Sequence, residues 1–489
     1  MNPSPAASPP EGAAAPRRRH TVVVSDIHLS QAHPPTPDDP EWMRYRTREF
    51  HPDRDFAALV DHLVARLGGD PIELVFNGDV FDFDAPWVKD GDSSSDEFEP
   101  DDAGCSAQMR RLLADHEPFF RAIARALADG HRALFMAGNH DIELYWPGVR
   151  AALREELTRL VADERPGVPF DAQSQVRFRA WFHVSDDRLY FEHGSQYDFL
   201  NNVRHAMLPV TRDKGRIHPV MGKLAFKRTG ARMGYMNPYF EDTFYMGVFD
   251  HVSHFLTRYA FSARRHIGRV WARGALSTIF EIWRERHDAH TYENARALAH
   301  AETGASLEAI DATHALAEPS AELTMIPIIR ELWVDRVGLA CVAAVVTMAV
   351  ALLVGPLPGL ATLALWVGLF FAYERFVPKP ELRAYDAAPP RVEQLFAIHG
   401  VRAVCLGHTH RPYAKWLDDK VLANSGTWCP AFQDLACTKP VLAERPCLVF
   451  TTEGDALHGG LHWWSEGVLR PDEAHCRPAP WLRATEHAA

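Results

Sequence analysis

Several features typical of particular protein classes are scarce in this sequence. Only seven of the 489 residues are cysteines, and no two of them stand in a CxxC pair. Neither a disulfide framework nor a zinc ribbon is indicated, so a reducing compartment is the simplest interpretation. The net charge of −12 is a poor match for a protein that binds a polyanion such as DNA, and we expect no nucleic-acid partner.

The first twenty residues also lack the continuous apolar segment of a secretory signal. Residues 1–20 are rich in proline and alanine, a composition that favours a disordered leader. We therefore expect the folded chain to act in the cytoplasm.

Hydrophobic residues, by contrast, are abundant. They make up 47% of the chain, enough for a folded core, and the length exceeds that of one ordinary domain. Short apolar runs predict strands, and apolar residues at helical spacing predict helices between them. The predicted strands are 21–24, 72–76, 132–137, one that ends at Phe191, 401–406, 447–452 and 459–464, and the predicted helices are 53–68, 107–129 and 146–162.

The alternation of strands and helices predicts an α/β core. The pattern changes to mainly helical from about residue 200 to 395 and then returns, which indicates a core interrupted by a long insertion. The predicted parts are a leader 1–20, a first core part 21–200, a helical insertion 201–395, a second core part 396–470 and a tail 471–489.

The insertion contains an apolar hairpin, 337–373. Its first run, 337–354, is uncharged and about 27 Å long as a helix, close to the thickness of a bilayer's hydrocarbon core. Glycines and prolines at 355–359 break it, and a second, shorter run, 360–373, follows. Positive residues at the outer ends predict an anchor at the cytoplasmic face of a membrane. A buried hairpin within the insertion or a dimer contact is the alternative, and full spanning or partial insertion is left open.

Five short clusters place potential metal ligands directly after apolar runs. Residues two apart on an extended segment point the same way, so each D-x-H or H-x-H pair can hold one ion. The carboxyl ends of adjacent parallel strands meet at one crevice, where the clusters would converge. Carboxylate, imidazole and amide oxygen together suit Mn, Fe or Zn. The clusters are Asp26-Ile27-His28, Gly78-Asp79-Val80-Phe81-Asp82, Gly138-Asn139-His140-Asp141, His193-Gly194 and Gly407-His408-Thr409-His410.

With these clusters in this order, the sequence resembles the calcineurin-like metallophosphoesterase superfamily, whose pattern is D-x-H, G-D-x-x-D, G-N-H-[DE], H and G-H-x-H. The resemblance implies a four-layer α/β/β/α sandwich, here with the long helical insertion. It also implies two divalent metal ions, with Mn as the first expectation, and attack on phosphorus by water activated between them. The blocks bracket residues 21–427, and outside the motifs the resemblance concerns the core only.

The resemblance assigns a role to each motif residue. Asp26, His28 and His410 would hold the first metal, Asn139, His193 and His408 the second, and Asp79 would bridge both. His140 would bind a phosphate oxygen or protonate the leaving group, oriented by Asp141. Asp82 would support a metal ligand or the loop from outside the first ligand sphere.

Some residues have simpler interpretations. His183 competes with His193, although His193 directly precedes a glycine at a strand end. Asp141 could instead cap a following helix. The turn at 424–427 is expected to close the core, and the acidic segment 82–102 is expected to be a solvated loop. The basic residues between 204 and 232 are either a solvated helix face or a site for a substrate or lipid headgroup.

Within the superfamily, the stretch from His193 to Asp198, followed by Asn201, resembles the HG-x-x-[FY]-D-x-x-N element of the branch related to the UDP-2,3-diacylglucosamine hydrolases of lipid A synthesis. Those peripheral membrane enzymes carry a helical insertion over the active site that receives acyl chains. They typically have Arg where this chain has His140, and their insertion is shorter, so an identical substrate is not implied.

Three hypotheses follow. The first is a membrane-associated hydrolase of a phosphate ester or diphosphate, with a lipid-linked substrate resembling UDP-diacylglucosamine. The second is a phosphodiesterase or phosphatase that acts on a soluble substrate and is merely anchored by the hairpin. The third is a non-catalytic scaffold, which the complete set of ligand positions disfavours.

Overall fold

The computed structural model describes residues 18–32, 51–67, 69–85, 87–89, 92–94, 98–213, 215–230, 256, 267–377, 390–429 and 444–477. Most of the predicted leader, 1–17, and the last part of the predicted tail, 478–489, lie outside the described residues.

The larger sheet has seven strands in the order β14-β13-β12-β1-β2-β5-β6. Strands β1, β2, β5 and β6 are parallel to one another, and β12, β13 and β14 extend the sheet antiparallel beside β1. The strands are β1 (Arg19–Val24), β2 (Ile72–Asn77), β5 (Arg132–Met136), β6 (Val176–Arg179), β12 (Arg445–Glu453), β13 (Ala456–Ser465) and β14 (Val468–Arg477).

The smaller sheet has five strands in the order β10-β11-β9-β8-β7. Its neighbours β8, β9 and β11 run parallel. The strands are β7 (Phe182–Val184), β8 (Leu189–Glu192), β9 (Ala403–Leu406), β10 (Tyr413–Leu417) and β11 (Lys420–Asn424), and a separate two-stranded ribbon is formed by β3 (Trp87–Lys89) and β4 (Asp92–Ser94).

Helices cover the outer face of each sheet. The described α-helices are α1 (Asp53–Arg66), α2 (Asp102–Asp115), α3 (Glu117–Ala128), α4 (Pro147–Glu164), α5 (Ala172–Gln175), α6 (Met221–Ala225), α7 (Ile267–Glu285), α8 (Tyr292–Thr303), α9 (Leu307–His314), α10 (Met325–Glu331), α11 (Val334–Leu353), α12 (Pro356–Phe376) and α13 (Leu395–His399). In α1, the buried residues Phe56, Leu59, Val60 and Leu63 have the spacing of one helix face. Asp53 and Asp55 in its first turn favour the helix N-terminus electrostatically.

Three apolar clusters define the layers. One packs α1 to α4 against the larger sheet. A second fills the space between the sheets, with Val23 and Leu134 from the larger sheet and Phe191 and Cys405 from the smaller. A third packs α8, α9 and α13 against the smaller sheet. The order helix, sheet, sheet, helix confirms the predicted four-layer α/β/β/α sandwich with a helical insertion.

The predicted insertion has a small core of its own. Met221 of α6, Ala275 and Ile282 of α7, and Ile328 of α10 are buried together, with Val334 of α11 packed against them. Helices α8 and α9, which also fall in 201–395, supply part of the outer layer on the smaller sheet. The predicted domain boundaries remain predictions, although β14 continues to Arg477, beyond the predicted end of the second core part.

Helices α11 and α12 form the predicted apolar hairpin and pack on each other. Both are long and apolar enough to cross a membrane, and only 6% of each apolar window is buried. Leu353, next to the break, is 85% exposed and Leu357 77%. The alternative of a hairpin buried inside the insertion is therefore wrong.

Two local predictions need correction. The single helix expected at 107–129 is two helices, α2 and α3, which meet at His116. Pro118 lies in the first turn of α3, where its missing N–H needs no partner, whereas inside a continuous helix it would clash with the preceding turn.

The acidic segment 82–102 is also not a solvated loop throughout. Asp82 and Asp84 are buried at its start, and the β3–β4 ribbon forms within it. Both carboxylates face His140, with Asp84 2.9 Å and Asp82 3.6 Å from its Nδ1.

Candidate metal centre

Five loops bring the predicted ligands to one edge of the sandwich. In the larger sheet, the adjacent strands β1, β2 and β5 end just before Asp26, Asp79 and Asn139. In the smaller sheet, β8 and β9 end just before His193 and His408. Because the carboxyl ends of parallel strands lie at the same edge of a sheet, ligands far apart in the chain become neighbours.

The first ligand group is Asp26, His28 and His410. Nε2 of His410 lies 3.2 Å from Oδ1 of Asp26 and 3.3 Å from Nε2 of His28. Oδ1 of Asp26 is buried and has no hydrogen-bond partner, while Oδ2 accepts from the His408 backbone N–H at 3.1 Å. Two imidazole nitrogens facing each other beside an unsatisfied carboxylate oxygen form a set of donors that fits a divalent cation.

The second group is built around His193. Its Nδ1 lies 3.0 Å from the backbone oxygen of Asn77, which leaves Nε2 as the atom able to bind a cation. This Nε2 is 3.0 Å from Oδ2 of Asp79 and 3.1 Å from Oδ1 of Asn139. His408 completes the group, and Asp79, His193 and His408 are all buried.

Asp79 lies between the two groups. Its carboxylate is within metal-ligand range of His193 and His408 on one side and of His28 and His140 on the other. Burial raises the pKa of Asp79, but the positive charges of His193 and His140 outweigh it and hold that pKa well below the ordinary value. The carboxylate therefore stays ionised, as a ligand shared by two cations must be. Together the two groups support a dinuclear divalent metal site.

The backbone of the ligand loops is unusual. Asp26, His28, Asp79, His408 and His410 have φ values of 52°, 54°, 52°, 69° and 58°. Residues other than glycine rarely adopt this left-handed region, and each instance costs of order 1–3 kcal/mol. Such strain persists where surrounding contacts fix the chain, and its concentration at five of the seven predicted ligands indicates a functional constraint.

Two motif glycines make room for ligands of other blocks. A Cβ at Gly138 would overlap the carboxylate of Asp79, and a Cβ at Gly78 would overlap the ring of His193. Glycine is needed here because the backbone of one loop packs directly on a ligand from another.

His140 is oriented differently from the prediction. Its Nδ1 lies 2.9 Å from Asp84, and its ring packs edge-on against His28 with the ring centroids 4.9 Å apart. Burial lowers the pKa of His140, but the facing carboxylates of Asp84 and Asp79 raise it well above the ordinary value. The sequence reasoning missed Asp84, and the only signal for it was the acidic start of 82–102.

Asp141, which was expected to orient His140, holds loops instead. Its carboxylate accepts from the backbone N–H groups of Gly138 at 2.6 Å, Val80 at 2.8 Å and Asp79 at 3.2 Å. Its side chain makes no capping hydrogen bond to the 3₁₀ turn Ile142–Tyr145 that follows. Burial and the nearby charge of Asp79 raise the pKa of Asp141 to about 7. Asp141 therefore fixes the Asp79 loop relative to Asn139.

Two further carboxylates support the site. Asp82 is buried, lies 3.6 Å from Nδ1 of His140, and accepts from the backbone N–H of Ala85. Asp198, which the sequence analysis names only as part of the HG-x-x-[FY]-D-x-x-N element, lies 3.1 Å from Nε2 of His408. Its place beside a metal-binding histidine matches the carboxylate partners that commonly orient such ligands.

The structure also locates the competing histidine and the turn at 424–427. His183 lies on β7 and stacks on Phe191, away from the ligand groups. The 424–427 turn joins ligand loops, since Asn424 donates to the backbone oxygen of Gly407 and Thr427 to that of Asp26.

The basic residues between 204 and 232 have different surroundings, and the first of them, Arg204, donates to the backbone oxygen of Arg286 at 3.1 Å. Arg212 is exposed, whereas Arg216, Lys223, Lys227 and Arg228 line a cavity of about 330 Å³ that also borders Asp84. Lys214 and Arg232 lie outside the described residues.

Comparison with known families agrees with this geometry. The family model of the calcineurin-like phosphoesterase matches residues 19–252, which contain four of the five ligand blocks. This match, which covers just under half of the chain, indicates a metal-dependent phosphoesterase. The fold adds His408 and His410, from beyond the matched region, to the same site. No curated protein matches the chain.

Proposed function

We propose that this chain is a membrane-associated phosphoesterase that hydrolyses a lipid-linked phosphate ester or diphosphate. The phosphoesterase domain and the two ligand groups support hydrolysis of a phosphorylated substrate. The single observation that carries the lipid part is the exposed apolar hairpin on an insertion that packs against the metal centre.

Each residue of the site has a role in the proposed hydrolysis. Bound divalent cations would activate water and neutralise charge on the phosphoryl group. The seven ligands would hold them, with Asp79 shared. His140, held by Asp84, is placed to donate a proton to the leaving group or to bind a phosphate oxygen. Asp198 keeps His408 oriented.

The insertion lies close to the site. The backbone N–H of Glu318 donates to the oxygen of Gln196, and that of Gly222 to the oxygen of Leu200, so two segments of the insertion are bonded to the chain that follows His193. Burial and the charge of Asp198 raise the pKa of Glu331 in α10 to about 7. The insertion therefore lies next to the side chain that contacts His408.

The cavity beside Asp84 suits a phosphorylated substrate. Its lining includes Arg216, Lys227, Arg228 and Arg284, as well as apolar side chains such as Phe98 and Leu224. Cationic groups bind phosphate oxygens and the apolar walls suit the uncharged remainder.

The hairpin supports membrane association. The apolar surfaces of α11 and α12 are exposed over about 20 residues each, and charged residues lie at the outer ends, among them Arg330 and Arg375. Large apolar surfaces of this kind mark an interaction with a membrane or a partner. We propose the cytoplasmic face of a membrane, because positive residues flank the hairpin.

The first experiment separates the enzyme from a non-catalytic scaffold. The protein in detergent is assayed with bis-p-nitrophenyl phosphate in the presence of Mn, Fe, Zn or no added cation. Metal-dependent release of p-nitrophenol that is lost in Asp79→Ala is expected. Absence of hydrolysis with every cation and substrate would overturn the phosphoesterase proposal.

The second experiment tests the hairpin and the substrate class. Residues 334–376 are replaced by a short Gly-Ser linker, and the protein is followed in membrane and soluble fractions. We expect release from the membrane and a selective fall in turnover of lipid-linked diphosphates compared with water-soluble ones. If turnover of both falls equally or is unchanged, the second hypothesis, a soluble substrate with a simple anchor, is favoured.

A further inference from the structure

Lys223 joins the insertion to the catalytic side of the metal centre. It lies on α6, and its Nζ is 2.8 Å from Oε1 and 2.9 Å from Oε2 of Glu143. The same atom donates to the backbone oxygen of His140 at 3.3 Å and lies 4.0 Å from Oδ1 of Asp84. One cation from the insertion thus contacts both the backbone of His140 and the carboxylates beside it.

Without the insertion, the buried carboxylates near His140 would have less positive charge beside them. Asp82, Asp84 and Glu143 are all buried, and Asp84 lies 2.9 Å from Nδ1 of His140. His140 faces Asp82 and Asp84, and Lys223 faces Asp84 and Glu143. Burying a charge without a partner is costly, so Asp84 and Glu143 need the positive charge of Lys223 to remain where they are.

The position of Lys223 depends on the packing of the insertion. On the same short helix, Met221 and Leu224 belong to the apolar cluster that includes Ile282 of α7, Ile328 of α10 and Val334 at the start of the hairpin. A continuous packed layer therefore runs from the helix that carries Lys223 to the base of the apolar hairpin.

We propose that Lys223 is a positioning residue, through which the helical insertion holds Asp84, and through it His140, in the geometry for protonating the leaving group. The inference rests on the proposed phosphoesterase function. Among the described residues, Lys223 contacts Glu143, Asp84 and the backbone of His140 and none of the seven ligand side chains, so its effect reaches the reaction through His140.

The test compares two substrates that differ in their need for a proton. p-Nitrophenolate is a good leaving group that needs little protonation, whereas phenolate is a poorer one. Loss of the proton donor should therefore slow hydrolysis of diphenyl phosphate more than hydrolysis of bis-p-nitrophenyl phosphate. Lys223→Met should lower kcat for diphenyl phosphate by about ten- to a hundredfold, and the loss with bis-p-nitrophenyl phosphate should be clearly smaller. Metal content, measured by mass spectrometry of the purified protein, should stay at the wild-type value.

Three further variants complete the design. Lys223→Arg keeps the charge and should restore most of the diphenyl phosphate activity. Lys415→Met is the matched control, because Lys415 pairs with Glu393 on the exposed surface as Lys223 pairs with Glu143 inside, and it should behave as wild type. In a His140→Ala background, Lys223→Met should cause no further loss, since both changes remove the same contribution.

Each possible result of these measurements leads to a different conclusion. An equal loss with both esters, a loss of bound metal, or a further loss in the His140→Ala background would overturn the proposal, because Lys223 would then act on the general structure. If Lys223→Met fails to fold while Lys223→Arg is folded and active, Lys223 serves folding, and the positioning role is rejected. Failure of the unmodified protein to hydrolyse any ester rejects the phosphoesterase proposal instead.

Discussion

At the scale of single residues, Asp79 connects the two halves of the metal centre. It faces His193 and His408 on one side and His28 on the other, and its left-handed backbone aims the carboxylate between them. The strain at this and the neighbouring ligand loops is maintained by hydrogen bonds, such as those from the Asp79 loop to Asp141. Metal binding should therefore be sensitive to single substitutions here.

We expect Asp79→Asn to bind less than two equivalents of divalent cation and to lose activity at least about a hundredfold, the upper range for residues that merely support a ligand. The amide has the shape of the carboxylate but lacks the charge shared by two cations. Metal analysis and p-nitrophenol release measure the two effects. Asp419→Asn, at an exposed turn, is the control, and a variant of Asp79 with full metal content would contradict the bridging role.

Gly138→Ala tests the close approach of loops. The added methyl group would overlap the Asp79 carboxylate, so we expect weaker metal binding, seen as a higher cation concentration for half-maximal activity. Gly338→Ala in α11 is the matched control because its Cβ would meet no atom within 4 Å. Equal behaviour of the two variants would show that the ligand loop has room to spare.

At the scale of elements, the base of the hairpin is fixed by an ionic cluster around a buried arginine. Arg336, 3% exposed, contacts Asp335 of the same helix and Glu374 of α12. Tyr373 donates a hydrogen bond to Asp335 at 2.6 Å. These contacts join the charged ends of the two apolar helices and fix where the hairpin leaves the insertion.

Arg336→Met should reduce stability because it leaves Asp335 and Glu374 without their cation. Removing one partner of a buried ion pair costs about 3 kcal/mol or more. The midpoint of thermal unfolding in detergent should fall by several degrees, whereas Arg375→Met, at an exposed position near the end of α12, should change it little. An unchanged midpoint for Arg336→Met would mean that solvent or detergent compensates the two acids.

At the scale of the whole molecule, buried histidines remote from the ligand groups link stability to pH. Burial lowers the pKa of His399 and of His462 from 6.5 to about 4, and that of His183 to about 3. His399 packs against Phe182 and Tyr190, and its Nε2 lies 2.8 Å from Oγ1 of Thr313. At pH values between the folded and unfolded pKa values, these rings are therefore neutral in the folded chain and positively charged in the unfolded chain.

The sign of the effect follows from proton binding. Between about pH 6.5 and pH 4 the unfolded chain binds more protons at these histidines, so stability falls as the pH is lowered through this window. His462→Gln should give a shallower decline of the unfolding midpoint with falling pH, whereas the exposed control His287→Gln should leave the decline unchanged. A slope that is the same in His462→Gln and wild type would exclude this histidine as a source.

Much of the fold could be predicted because it depends on local patterns. Short apolar runs, each followed by a ligand cluster, indicated the sandwich, and strand β2 was predicted to within one residue of its observed end at Asn77. The break at His116 was missed because the apolar spacing continues through it, although Pro118 was a readable signal. The small ribbon within 82–102 has no such signal, since its residues are mainly polar.

What the sequence determined by itself is the set of metal ligands, because each block is a short stretch whose composition and place after a strand are local properties. Only the tertiary structure decided which carboxylate meets His140 and which cation meets that carboxylate. Asp84 is 56 residues from His140 and Lys223 is 83, and no periodicity relates them. Their association depends on how the insertion packs on the core, since an ion pair of this kind exists only where folding removes water from both partners.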